Sequence, residues 1–320
     1  MKGASTRRGN QSMPVDSIRE IYRKEGLSPR LIRSFQGSLL RYYRRQGRDL
    51  PWRRTTDPVQ RGPVPPRTIP APCGTRDPYH ILVSEFMLQQ TQVERVLVKY
   101  PEFLDRFPGI GALARAELRE VLAAWQGLGY NRRALALHRT ARRIAEEFHG
   151  EVPLDRATLD SFPGIGSATA GAIVVFSANR PEVFIETNIR RVYIHLFFPG
   201  ADKVHDREIE PLLERTLDLE NPRRFYYTLM DFGSLLKKGA RNPNLRSASY
   251  ARQGRFEGSD RQARGRILRH LLAAGEAGER ESGEVAMVGP DRLERVLATL
   301  ERDGFIERSG GKIRLQRGSR

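Results

Sequence analysis

Residues 159–192 read LDSFPGIGSATAGAIVVFSANRPEVFIETNIRRV, and this stretch decides the fold. Pro163, Gly164, Ile165 and Gly166 lie between two helical patterns, which predicts a tight hairpin joining two helices. Gly164 and Gly166 let the backbone turn sharply and approach another molecule closely. A helix predicted to begin at Ser167 turns its unpaired N–H groups and positive dipole end toward that hairpin. A phosphate oxygen suits such a place, and the contact positions DNA without reading its sequence. Alone, the tetrapeptide equally describes an ordinary helix–helix turn. The small residues Ala168, Ala170, Gly171 and Ala172 then permit close helix packing around it. Glu186 precedes a further helix predicted from near Asn188, whose dipole favours the ionised carboxylate. Capping that helix is the competing use of Glu186.

Outward from this stretch the chain reads as mainly α. Apolar residues at helical spacing, Leu31, Ile32, Phe35, Leu39, Leu40 and Tyr43, predict a helix over 29–45. Further helices are expected over 79–92, 93–106, 113–124, 131–148, 155–162, 167–178, 188–198, 205–218 and 222–238. No alternating run in this region suggests a sheet. Residues 55–76 are rich in Pro and Gly and predict a surface loop within a domain of residues 28–236. Residues 1–27 read as a basic, flexible arm and 237–260 as a basic linker.

From 261 to 320 the pattern changes. Ile267, Leu268, Leu271 and Leu272 suggest one helix, and Leu293, Val296, Leu297 and Leu300 another. DGFIERSGGKIRL (303–315) then reads as two short strands around a turn at 309–311. Helices followed by a hairpin suggest a winged-helix-like α+β domain; a packing module that does not touch DNA is the alternative.

The 320 residues are 39% hydrophobic and 29% charged, the balance of a soluble globular protein. No apolar run approaches the roughly 18 residues that span a bilayer, so no membrane association is expected. The N-terminus has no apolar leader segment. Lys and Arg number 55 against 38 Asp and Glu, a net charge of +17 that favours a polyanionic partner; solubilising charge is the bland alternative. Residues 237–269 concentrate this excess, with Lys237, Lys238, Arg241, Arg246, Arg252, Arg255, Arg261, Arg264, Arg266 and Arg269 against Glu257 and Asp260. Cys73 is the single cysteine, so neither an internal disulfide nor a four-cysteine metal site is available within one chain. A cytoplasmic compartment fits, nucleoid-associated in a prokaryote.

FPGIGSATAGAI (162–173) followed by FIETNIRRV (184–192) resembles the helix-hairpin-helix DNA glycosylases, the endonuclease III superfamily. PYHILVSEFMLQQTQVERV (78–96) and WQGLGYNRRALAL (125–137) are similar to the A/G-specific adenine glycosylase, or MutY, branch. LPWR (50–53) and YTLMDFG (227–233) also match, so the likeness spans roughly 30–237. The resemblance implies a fold of two helical lobes. It also implies base excision from mismatched or damaged double-stranded DNA by a protein acting as a monomer.

Two carboxylates take the chemistry under this resemblance. Glu85 lies in SEFMLQQ among Leu82, Phe86, Met87 and Leu88. Poor solvation keeps a carboxyl protonated and able to donate, and the matching family glutamate protonates the departing adenine. Glu186 supplies the anion that a developing positive charge on the sugar requires. The division of labour parallels glycoside hydrolysis. The family position is usually aspartate, so glutamate adds a methylene. Ala168 stands where bifunctional relatives carry a Schiff-base lysine, which implies a monofunctional glycosylase that leaves the strand intact. The target base must be flipped out, and Tyr130 matches a residue that wedges into the stack; a core aromatic is its other reading. Gln89, Gln90, Thr91, Gln92 and Asn188 offer hydrogen bonds to bases and backbone, although glutamine runs also decorate plain helix surfaces.

Two departures from the family are legible. The family's [4Fe–4S] cluster needs four cysteines after the MDFG-like helix, and residues 235–261 contain none, so no cofactor is required. Lys237, Lys238 and Arg241 are expected to replace that loop's DNA contacts. The resemblance admits a monovalent cation on the hairpin carbonyls, but no residue type demands one. The tail is too short for the Nudix-like domain with which relatives sense 8-oxoguanine. Adenine opposite 8-oxoguanine or guanine is the leading substrate. Uracil or thymine opposite guanine, and a non-catalytic DNA-binding protein, are the alternatives.

Overall fold

The computed structural model describes residues 14–54, 76–237 and 242–316. In chain order the helices are α1 (Val15–Glu25), α2 (Pro29–Gln46), α3 (Pro78–Leu88), α4 (Val93–Arg106), α5 (Ile110–Arg115), α6 (Leu118–Trp125), α7 (Arg132–Glu147), α8 (Arg156–Asp160), α9 (Ser167–Ala178), α10 (Thr187–Phe197), α11 (Asp206–Thr216), α12 (Pro222–Lys237), α13 (Asp260–Ala274), α14 (Glu279–Ala286) and α15 (Pro290–Asp303). Short 3-10 helices at Pro51–Arg53 and Pro243–Arg246 and strands β1 (Glu276–Gly278), β2 (Ile306–Ser309) and β3 (Lys312–Leu315) complete the described elements. The chain divides into two compact units, Met1–Asp77 with Ser167–Ala251, and Pro78–Gly166 with Arg252–Arg320. No helix among the described residues is long and apolar enough to cross a membrane.

The first unit is built around α9. Ala170 to Ser177 are all buried there, as an unbroken apolar helix requires. A Cβ on Gly171 would lie 3.1 Å from Phe184, so the small residue permits the close approach its sequence suggested. Ser28 caps α2 by accepting from Leu31 N at 3.2 Å, and Pro29 opens its first turn. Leu31, Phe35, Leu39 and Tyr42 form its buried stripe. The flexible-arm reading of 1–27 is corrected for part of its length, because Val15–Glu25 is helical with Ile18 buried. Its apolar stripe is thin among charges, yet Tyr22 meets Phe197 edge-on at 5.0 Å and Arg19 donates to His195 O at 2.6 Å.

A buried ion pair ties the LPWR and MDFG motifs together in this unit. Arg53 donates from both terminal nitrogens to the Asp231 carboxylate at 2.9 Å, and Arg48 Nε adds a bond at 2.6 Å. Burial alone would raise the Asp231 pKa, but Arg53 and Arg48 outweigh it and hold the carboxyl below the ordinary range.

In the second unit the expected 113–124 helix is two, α5 and α6, because Glu117 begins a new helix and its own N–H donates to Glu120 Oε2 at 2.9 Å. The C-terminal module runs α13, β1, α14, α15, β2, β3, with antiparallel strands in the order β1-β3-β2. Glu276 pairs with Arg314 and Ile306 with Leu315. Gly310 and Gly311 carry positive φ in the expected turn. The sequence pattern does not reveal β1 and α14: three residues, EAG, are too few to show alternation, and ERESGEVA has little apolar periodicity. Arg119 donates to Leu272 O at 2.5 Å, Arg132 pairs with Asp303 at 2.6 Å, and Arg139 donates to Asp303 O at 2.9 Å. These bonds seat the module on α6 and α7.

Candidate active site

The hairpin at 163–166 is held from below by its own unit. Ile165 is buried and anchors it, with its N–H on Phe162 O at 3.2 Å. Its side chain packs into the unit. Gly164 has φ +76°, and a Cβ there would lie 2.8 Å from Ala136 Cβ and 3.0 Å from Phe86, so glycine is required twice over. Gly166 is different: its Cβ direction opens onto empty space, and the fold does not demand it. The carbonyls of Pro163 and Gly164 already accept from Thr140 Oγ1 at 3.3 Å and Gln89 Nε2 at 3.1 Å. From Gly166 the chain continues into α9 with Ser167 exposed and Ala168 half-buried.

Glu85 lies on α3, half-buried between buried Ser84 and Phe86. The helix ends at Leu88, and Gln90 then takes a left-handed φ of +55°. Gln90 is exposed, and Gln89 and Thr91 are half-buried. Tyr130 also has positive φ, +50°, and is 36% exposed, which rules out the core-aromatic reading. Its hydroxyl accepts from Gln253 and from Arg261 Nη1 at 3.3 Å. Arg133 joins these two turns. Its guanidinium is buried, bonds to carbonyls of both, and lies 5.3 Å from the Tyr130 ring centroid. Burial lowers its pKa to about 10, so it stays charged at neutral pH. The sequence held a signal for it: Arg133, Leu137, Ala141 and Ile144 share one buried stripe of α7, where a cation stands out.

Glu186 caps α10. Its Oε1 accepts from Asn188 N at 2.7 Å and Ile189 N at 3.0 Å, and its Oε2 accepts from Asn188 Nδ2 at 3.2 Å. The cap that sequence offered as the alternative is therefore present. Burial is the largest influence on this carboxyl and raises its pKa, although both amides and Arg191 pull the other way. Asn188 also orients Glu186, because Arg191 Nη1 holds its Oδ1 at 2.6 Å. Arg191 also donates to Gly233 O at 2.7 Å and Asn242 Oδ1 at 2.9 Å. A Cβ on Gly233 would lie 2.7 Å from Asn188 Cβ, so the last residue of MDFG lets α12 pass close behind the cap.

The segment after α12 does not suit an iron–sulfur cluster. Cys73 is the single cysteine of the chain. Asn244 Nδ2 donates to Thr187 O at 2.9 Å, and Arg246 donates to Ile194 O and Ala201 O at 3.2 Å and to Phe198 O. A cation thus closes the C-terminal end of α10 with ordinary hydrogen bonds. Lys237 is exposed at the end of α12; Lys238 and Arg241 lie outside the described residues. In the C-terminal module α15 carries Arg292, Arg295 and Arg302 on one side, with Arg292 paired to Asp260, and exposed Glu294 and Glu301 on another.

Within the second unit, then, Gln89, Thr91, Tyr130 and the hairpin come together beside the end of the Glu85 helix. Within the first, Glu186 and Asn188 form one hydrogen-bonded group. Residues 83–217 match the HhH-GPD superfamily of base excision DNA repair proteins. An adenine DNA glycosylase of Mycobacterium tuberculosis is 34% identical over 293 residues, covering 85% of this chain and 90% of its own. The Homo sapiens adenine DNA glycosylase is 33% identical over 207 residues, 63% of this chain and 36% of the human one. A solved thermostable thymine-DNA glycosylase shares the fold at 21% identity and a TM-score of 0.53, over 71% of this chain and 91% of that one. Hairpin, helical fold and matched region together define a helix-hairpin-helix base excision repair protein. Within that class the chain belongs to the adenine DNA glycosylase family.

Proposed function

We propose that this chain is a monofunctional DNA glycosylase that hydrolyses the N-glycosidic bond of adenine mispaired with 8-oxoguanine or guanine. The flipped base leaves with the bonding electrons, and Glu85 supplies the proton it takes up. Glu186, ionised, faces the positive charge that develops on the sugar; that charge itself favours the ionised form. Water then adds to the sugar carbon and returns a proton. Ala168 offers no amine, so no Schiff base forms and the strand stays closed. The observation that carries the reading is the Glu186 group. Two backbone amides and the Asn188–Arg191 pair fix the carboxylate's orientation before any substrate arrives. The naming of relatives as adenine glycosylases supports the choice of base.

A duplex panel tests it, with adenine opposite 8-oxoguanine, adenine opposite guanine, and thymine or uracil opposite guanine. Adenine release is expected, with strand breaks only after heat or alkali. Glu85→Gln is expected to slow single-turnover release by about 10²–10⁴-fold while duplex binding persists. Thymine or uracil release in place of adenine would reassign the base, and prompt strand cleavage would refute the monofunctional reading.

A further inference from the structure

Arg133 is a buried guanidinium with no carboxylate paired to it among the described residues. Its two terminal nitrogens serve two different pieces of chain. Nη1 donates to the carbonyls of Phe86, Met87 and Gln89 at 2.8, 3.0 and 2.5 Å, at the C-terminal end of α3. Nη2 donates to Leu128 O at 3.4 Å and Gly129 O at 3.1 Å in the turn before Tyr130, and to Thr91 Oγ1 at 2.8 Å. The cation therefore also meets the negative end of the α3 dipole. Gln90 and Tyr130, the non-glycine residues at positive φ in this region, each directly follow a carbonyl that Arg133 holds. Such conformations are strained for a residue with a Cβ and persist only where the surroundings over-determine them.

We propose that Arg133 is a positioning residue: it locks the end of the Glu85 helix and the Tyr130 turn into one rigid piece, so that the wedge is held ready to extrude the base. This rests on the glycosylase reading above. Lysine cannot replace it, because a single ammonium has no planar fork to span two sets of carbonyls. Without the fork, Gln90 and Tyr130 relax toward ordinary backbone and the wedge loses its fixed height.

The test compares Arg133→Lys with wild type in the full chain. Amide exchange needs no DNA: residues 89–91 and 127–131 are expected to exchange at least tenfold faster, with the rest unchanged. With 2-aminopurine beside a mispaired adenine, the extrusion signal is expected to fall at least tenfold while duplex affinity holds within about threefold. Single-turnover release should fall in parallel on the stacked duplex. It should return to within about threefold of wild type when adenine lies opposite an abasic site and is already unstacked. Unchanged exchange and extrusion would overturn the proposal, as would an equal rate loss on both substrates. Should Arg133→Lys not fold, Thr91→Val removes one Nη2 partner and is expected to give a smaller extrusion defect of the same kind; wild-type extrusion in it would refute the coupling. A wild-type protein that releases no adenine from any substrate would sink the glycosylase reading alone, leaving the exchange result to judge Arg133.

Discussion

At the scale of single residues, Glu186 does two things with one side chain. It satisfies two amides of α10 and holds a charge that its surroundings resist. Because burial raises its pKa, the folded chain binds that proton more tightly than the unfolded chain does. The resulting stability is complete below the unfolded value of about 4.3 and is lost as pH rises through the folded value. Glu186→Gln does not titrate, so its Tm relative to wild type is expected to climb between about pH 4 and pH 7. A Tm difference flat across that range would contradict the burial account. The two hairpin glycines separate in the same way. Gly164→Ala is expected to cost about 2 kcal/mol or more, from strained φ and contact with Ala136 and Phe86. Gly166→Ala should unfold like wild type, yet on the proposed reading, in which a DNA phosphate comes close to the hairpin there, it should bind duplex more weakly. Urea melts and a binding titration on both variants check this. The sequence showed the glycine pair but not their different reasons, which depend on what α3 and α7 place beside each.

At the scale of elements, the LPWR turn and α12 stand or fall together. The Asp231 carboxylate is held below the ordinary aspartate range, so its contribution is present above about pH 3.9 and lost as pH falls through the folded value. Asp231→Asn leaves Arg53 buried without its anion and is expected to cost about 3–5 kcal/mol at neutral pH. It should also flatten the acid limb of the stability profile; calorimetry from about pH 3 to 7 measures both. Much of this level was legible in the chain. Helix α9 reads plainly from its apolar run, and the stripes on α13 and α15 mark the core of the C-terminal module. The motifs LPWR and MDFG were visible as letters, but their pairing was not, because the partners lie 178 residues apart. Helix α1 is hard to read in the chain because Ile18 is its one buried residue, and Arg19 and Tyr22 hold it to α10.

For the whole molecule, charge governs the choice of partner. A net +17 calls for a polyanion, and residues 237–269 hold ten Lys and Arg against two acids. Each phosphate contact contributes about 0.9 to the slope of log affinity against log salt. Replacing Lys237, Lys238 and Arg241 by Ala is therefore expected to lower that slope by about 2–3. An unchanged slope would place the DNA contacts elsewhere. The C-terminal module gives a contrasting case: its topology is that of a winged helix, but α15 exposes Glu294 and Glu301 as well as Arg295 and Arg302, and the module's bonds run to Arg119, Arg132 and Arg139. Hydropathy patterning revealed most strands and helices of that module, while the mixed charge of its exposed surface emerged only once burial had sorted the side chains.

The division of each unit into two separated stretches of chain has a consequence for how the molecule is made. Arg48 leaves the ribosome 183 residues before the Asp231 that neutralises it. At about 5–20 residues per second, the apolar stripe of α2 waits on the order of ten seconds or more for α12. The first unit therefore closes late, by one long-range step with a large loop entropy to overcome. During that interval Leu31, Phe35 and Leu39 are open to chaperones and to aggregation.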